Sequence, residues 1–247
     1  MSKKIFPFFL LLLLIMLKTS AQITHYNPTA LSPSAAQNFI VTDSEGKTYS
    51  YTEWRKLVIS GDYNIRRTNQ GDSRPEFLLY RYTAEEKAEH LKNMRRPAES
   101  KFFVTGELIK PFKVSDIYGN TLNAKAWAGK TVVLNFWFVG CQPCQIEIPE
   151  LNKIAAKYSD NPNVIFIAIA LDASFIISNS IKRNPFGYVL IPDGKRYADL
   201  FKINLYPTNV VIDKDGKVRF HSSGLYTNNA YWIDKTIEEI ELGIKEL

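Results

Sequence analysis

Two residues stand out for chemistry, Cys141 and Cys144, the only cysteines in 247 residues. They enclose Gln142 and Pro143. A disulfide between residues so close closes almost no loop, and so constrains the unfolded chain little. The pair therefore reads as reactive rather than structural. Two intervening residues bring the second sulfur within bonding reach of the first. At a helix N-terminus, the positive end of the backbone dipole favours thiolate over thiol, and the thiolate is the attacking species. Cys141 is then expected to be exposed and to attack a substrate disulfide. Cys144 is expected to be more buried and to resolve the mixed disulfide. A zinc reading would need four ligands, and His25, His90 and His221 are scattered.

The flanking sequence supplies that helix. Thr131 to Phe138 is apolar and β-branched around the single Asn135, as in a buried central strand. Cys141 to Tyr158 reads as the helix it feeds, with Ile146, Leu151, Ile154, Ala155 and Tyr158 on its apolar side. Pro143 falls in the first turn, where its missing N–H costs little. Val164 to Leu171 is a second buried strand, Phe175 to Arg183 a helix, and Tyr188 to Ile191 a short strand. Asn209 to Ile212 and Val218 to His221 flank Asp213-Lys214-Asp215-Gly216, a hairpin. Ile233, Ile237, Ile240 and Ile244 line one face of a terminal helix. Phe112 to Val114 and Thr121-Leu122 form an earlier hairpin. The pattern is α/β, a mixed sheet with helices on both faces.

Upstream, Phe39 to Val41 and Thr48 to Tyr51 suggest a small hairpin. Thr83 to Met94 suggests a helix with a capping box from Thr83 to Glu86, with Pro97 barring its continuation. Gln22 to Ser34 is polar and loose. Residues 1–21 have the parts of a secretory leader: Lys3 and Lys4, the apolar run Ile5 to Leu17, then Thr19-Ser20-Ala21. If retained, the leader would be a membrane anchor, although the run falls short of the roughly 20 residues of a spanning helix. The formal charge is +6, from 31 basic and 25 acidic residues. Without Lys3, Lys4 and Lys18 it falls to +3, too balanced to argue for nucleic acid. The expected organisation is a leader over 1–21, an N-terminal extension over 22–104, and a catalytic domain over 105–247.

Asn135-Phe136-Trp137-Phe138-Val139-Gly140-Cys141-Gln142-Pro143-Cys144 resembles the active-site segment of thioredoxin-fold proteins. More narrowly, the chain is similar to the exported TlpA/ResA branch of thiol–disulfide oxidoreductases. Gly129-Lys130, Trp137, Pro149 and Tyr206-Pro207-Thr208 share in the likeness, which covers about residues 105 to 247. The resemblance implies a thioredoxin-like fold and a cis Tyr206–Pro207 bond facing the dithiol, holding backbone open to an extended substrate. It implies that Glu147, three residues after Cys144, helps proton transfer at the resolving sulfur. Substrate contact would fall on Trp137, Gly140, Gln142, Pro143, Tyr206 and Pro207, although Trp137 reads equally well as packing. Thioredoxin has a buried Asp where Asn135 stands, and a Trp where Gly140 stands. Any base role at Asn135 must therefore pass to Glu147 or water. No bound cofactor is implied beyond the Cys141–Cys144 disulfide. The partners implied are protein thiols and disulfides, a membrane thiol electron donor, and substrates such as apocytochrome c, in a periplasm or cell envelope.

Other classes fit less well. A peroxiredoxin-like peroxidase places its Cys after a Thr, whereas Gly140 precedes Cys141. A copper-delivery module uses a wider cysteine pair and a distant His. Lys130, Asp172 and His221 read as structural or solvent-facing. Tyr49, Tyr51, Trp54, Tyr63, Tyr80 and Tyr82 would make the extension either a partner surface or a small aromatic core.

Overall fold

The computed structural model describes residues 38–69 and 74–244. The expected leader, the loose segment over Gln22 to Ser34, and His25 lie outside the described residues.

The first part of the chain builds a sheet of its own. Strands β1 (Ile40–Thr42), β2 (Thr48–Tyr49), β3 (Tyr63–Arg67) and β4 (Glu76–Arg81) lie in the order β2-β1-β4-β3. β1 and β2 form the expected hairpin, joined through Asp43, whose carboxylate takes the N–H groups of Glu45 and Lys47. The expected second strand is too long, because Tyr51 opens helix α1 (Tyr51–Ile59). Ser50 caps that helix, and Glu53 returns to the Ser50 N–H. This box was present in the sequence and outweighs the β-leaning tyrosines. Val41, Trp54, Val58, Ile65, Phe77 and Leu79 fill the core beneath this sheet. Helix α2 (Ala84–Asn93) follows with the expected Thr83–Glu86 box.

After the hairpin β5 (Val114–Ser115) and β6 (Thr121–Leu122) and the single turn α3 (Ala124–Trp127), the chain enters its main sheet. Its strands are β7 (Thr131–Trp137), β8 (Val164–Ala170), β9 (Val189–Ile191), β10 (Thr208–Ile212) and β11 (Val218–Ser223), in the order β11-β10-β7-β8-β9. β7, β8 and β9 run parallel, while β10 and β11 run antiparallel to their neighbours. Strand β7 lies in the middle of the sheet and is buried at every position.

Alternation sorts its residues between two cores. Val132, Leu134 and Phe136 enter one core, with Trp127, Val210 and Ile212. Val133 and Trp137 enter the other, with Val211 and Phe220. The first core is covered by α3 and by α6 (Lys195–Leu200), through Tyr197 and Ala198. The second is covered by α4 (Gln142–Lys157), α5 (Ser174–Ile181) and α7 (Asn229–Glu241). Helices therefore occupy both faces, as expected. The sequence reading missed α6, a helix of only two turns. It starts at Gly194, where a Cβ would collide with Ile169 Cγ2 and sit 2.7 Å from the Ala170 carbonyl oxygen. Ile244 is a correction: α7 ends at Glu241, and Ile244 lies beyond it, half-exposed.

The segment between the two sheets runs along β11. Arg96 donates to the Arg219 carbonyl and stacks over Phe220 and Trp232. Ser100 donates its N–H to Nδ1 of the buried His221. Further on, Gly106 and Ile109 donate to the Val218 and Gly216 carbonyls, and Val218 donates back to Glu107.

Candidate active site

Strand β7 delivers the chain to the start of α4 through three residues, of which the middle one is held at both of its backbone polar groups. The Val139 N–H donates to the Asp172 carboxylate at 2.6 Å, and its carbonyl accepts from the Gln145 side chain at 3.1 Å. Gln145 is itself held by the Asn184 amide. Asp172 is thus structural, as expected. The Cys141 N–H closes the turn onto the Phe138 carbonyl.

Cys141 is the N-cap of α4. Its sulfur accepts the Cys144 N–H at 3.2 Å, taking a donor that the helix leaves open. Cys141 and Cys144 form a disulfide, with Cα atoms 5.3 Å apart. The same N–H would support a thiolate at Cys141 once the bond opens. The expected contrast in burial between the sulfurs is not found. Cys141 is 4% exposed and Cys144 2%. Half-buried Phe138, Val139 and Tyr206 pack against the cluster that contains both cysteines.

Of the expected substrate-contacting residues, Gly140, Gln142 and Pro143 are exposed beside the disulfide. The Tyr206–Pro207 bond is cis, and the Tyr206 ring meets Phe138 edge-on at 5.5 Å. Pro207 itself is buried. Trp137 corrects the expectation of a surface role. It is 1% exposed and packs edge-on against Phe186 on the inner face of the sheet, so it offers a substrate no surface.

Glu147 is placed unlike an ordinary helix-surface carboxylate. It is 4% exposed. Its Oε1 accepts from Asn209 Nδ2 at 2.6 Å and from Asn229 Nδ2 at 3.2 Å. Asn209 in turn accepts from Asn135 at 2.9 Å, and Asn229 from the Ser222 hydroxyl at 2.9 Å. Asn135, Asn209 and Ser222 are lateral neighbours on three adjacent strands, and all face α4. Burial pushes the Glu147 carboxyl up to about 8, while the two amide donors pull it partly back. Tyr188 lies close enough for the Glu147 charge to matter. Burial first, and that charge second, hold its phenol well above the ordinary value. Among the described residues, Glu147 Oε2 and the Tyr188 hydroxyl have no hydrogen-bond partner.

The sequence reading missed Asn209 and Asn229. Asn209 left a signal, a lone amide in an otherwise apolar buried strand, as Asn135 is in β7. Asn229 left none.

The AhpC/TSA family model matches residues 105–221. The chain is 33% identical over 108 residues to a thiol-disulfide oxidoreductase ResA of Bacillus cereus, a match covering 43% of this chain and 62% of that protein. To the protein of the same name from Bacillus thuringiensis subsp. konkukian it is 30% identical over 137 residues, 55% of this chain and 74% of the relative. Among solved structures, one from Chlorobium tepidum assigned as a thiol:disulfide interchange protein DsbE aligns with a TM-score of 0.51 at 23% identity, over 56% of this chain and 98% of that one. One from Bacteroides thetaiotaomicron assigned as a protein disulfide isomerase aligns with a TM-score of 0.51 at 24% identity, over 59% and 94%. These two likenesses bear on the fold. They show a thioredoxin-like fold, and by the match to the Bacillus thuringiensis protein the chain belongs to the ResA family of thiol–disulfide oxidoreductases.

Proposed function

We propose that the protein is an exported reductase of protein disulfides working through Cys141 and Cys144. The observation that carries this reading is the disulfide capping α4, with a buried carboxyl one turn further along the same helix. In the reduced protein the Cys141 thiolate attacks a substrate disulfide. One substrate sulfur leaves as a thiolate, and the other becomes bonded to Cys141. Glu147 takes the Cys144 proton, and the Cys144 thiolate attacks the Cys141 sulfur. The bond from Cys141 to the substrate breaks, the Cys141–Cys144 bond forms, and the second substrate sulfur leaves and takes up a proton. Two electrons have passed to the substrate, and the protein holds its disulfide.

Gly140, Gln142, Pro143, Tyr206 and Pro207 form the contact region in this reading. The disulfide itself is the redox group. The family resemblance supports envelope substrates such as apocytochrome c and a membrane thiol donor that restores the dithiol. Residues 1–21 serve as leader and direct the chain to the periplasm or cell envelope. Residues 22–104 are an N-terminal extension in sequence, and residues 105–247 the redox domain. Among the described residues, no helix is long and apolar enough to cross a membrane.

Redox titration of the Cys141/Cys144 couple tests the direction. A reductase should lie toward the thioredoxin end, about −270 mV, whereas a value near about −120 mV marks an oxidant and rejects the role. Insulin reduction should disappear in Cys141→Ser. Insulin reduction by that variant at the wild-type rate refutes the dithiol mechanism.

A further inference from the structure

The Glu147 carboxyl is gripped by one oxygen. Both amide donors go to Oε1, whereas Oε2 has no hydrogen-bond partner among the described residues. In a neutral carboxyl the carbonyl oxygen accepts, and the other oxygen carries the proton. Two N–H donors at Oε1 therefore assign it the carbonyl role and leave the proton to Oε2. The amides are held in this sense. Asn209 spends its own oxygen on Asn135, and Asn229 spends its own on Ser222. Turning either amide round would face its oxygen toward Glu147 and lose a second bond.

We propose that Asn209 and Asn229 are positioning residues that make Oε2 the proton-exchanging oxygen of Glu147 and set the pH at which it acts. This rests on the reading above, in which Glu147 takes the Cys144 proton. In the resolving step the proton leaves the Cys144 sulfur for Oε2, so that Oε1 keeps both of its donors throughout. The sulfur then displaces the substrate from Cys141, and the carboxyl proton passes to the departing substrate thiolate or to water.

The surroundings make the assignment testable. Asn135 from β7, Asn209 from β10, Ser222 from β11 and Asn229 from α7 have no side-chain ionisation in the working range. Tyr188, just before β9, is the titratable group coupled to Glu147, and its phenol stays protonated throughout. Cys144 lies on α4 itself. Donors to a carboxylate favour its charged form, so removing either one must move its titration upward.

The experiment measures single-turnover reduction of a peptide disulfide by the full chain, from about pH 5 to about pH 10, a range that spans the titration of a group near pH 8. Beside the inflection of the attacking thiol, the wild type should show a second one that Glu147→Gln lacks. In Asn209→Ala and Asn229→Ala the second inflection should persist but shift up by about one pH unit, the size of one hydrogen bond to a charged group. Carbon-13 NMR titration of the Glu147 carboxyl in the oxidised proteins reads the same shift without catalysis, which covers a variant that has lost activity. A pH profile in Glu147→Gln identical to that of the wild type removes the Glu147 role and this proposal with it. An inflection absent from Glu147→Gln but unmoved in both Asn variants removes this proposal alone.

Discussion

Cys141 and Glu147 lie two turns apart on one helix, yet they are positioned by different means. Cys141 is placed by its neighbours in sequence: a buried strand, a three-residue turn and the cap that its own sulfur makes. Glu147 is placed by side chains from β7, β10, β11 and α7, as far along the chain as Asn229. The first arrangement is a local motif that any chain with this strand and helix can carry. The second exists only when the sheet and the last helix have closed on α4. A local site can therefore be read along the chain, while the assembled one exists only in the closed fold.

The largest effect that would sharpen this contrast is on rate. Glu147→Gln should slow the resolving step by about 100-fold, the lower range for loss of a general base. Quenched-flow detection of the mixed disulfide should show it accumulating. A wild-type resolving rate would put the two sites on separate tasks.

Next in size is stability against pH. Burial raises the Glu147 carboxyl from 4.5 to about 8 in the folded protein. The folded state thus keeps a proton that the unfolded chain loses. That contribution is complete below about pH 4.5 and is lost as pH rises toward 8. At about 1.4 kcal/mol per unit the loss amounts to a few kcal/mol. Urea titrations of the oxidised wild type at intervals from about pH 5 to about pH 9 should show this decline, and Glu147→Gln should flatten it. Equal slopes would mean that the carboxyl is not buried in solution as it is here.

A smaller effect is expected where the local site is tied down. Asp172→Ala leaves the Val139 N–H without its acceptor and should cost ~1–2 kcal/mol by chemical denaturation. The smallest belongs to Gly140. A Cβ there would meet the Phe138 ring at 3.8 Å, an ordinary contact. Gly140→Ala should therefore change stability by less than ~0.5 kcal/mol, and a larger loss would mean that the turn is less open than described.

What the sequence disclosed follows the same division. The strand, the turn and the helix opening at Cys141 were legible because each rests on a local pattern: a buried apolar run, then a cysteine pair at a helix start. The capping box at Thr83 was legible for the same reason. The burial of Glu147 was not. One glutamate between Ile146 and Ile148 on an amphipathic helix looks the same whether solvent or three amide-bearing elements lie opposite. Asn135 and Asn209 hinted at a polar partner, yet only the β7–β10 register shows that they are neighbours. Strands β3 and β4 escaped because Tyr63–Arg67 and Glu76–Arg81 mix charge with aromatics and alternate weakly.

The stretch from Arg96 to Ile109 has a consequence for assembly. Its side chains and backbone occupy the outer rim of the chain from Gly216 into β11 as far as His221. An unclaimed rim of that kind invites foreign strands and, with them, aggregates. Here the polypeptide has fenced that side off with its own connector. Between Gly216 and His221 that side is closed to an added strand, whatever chain might offer one.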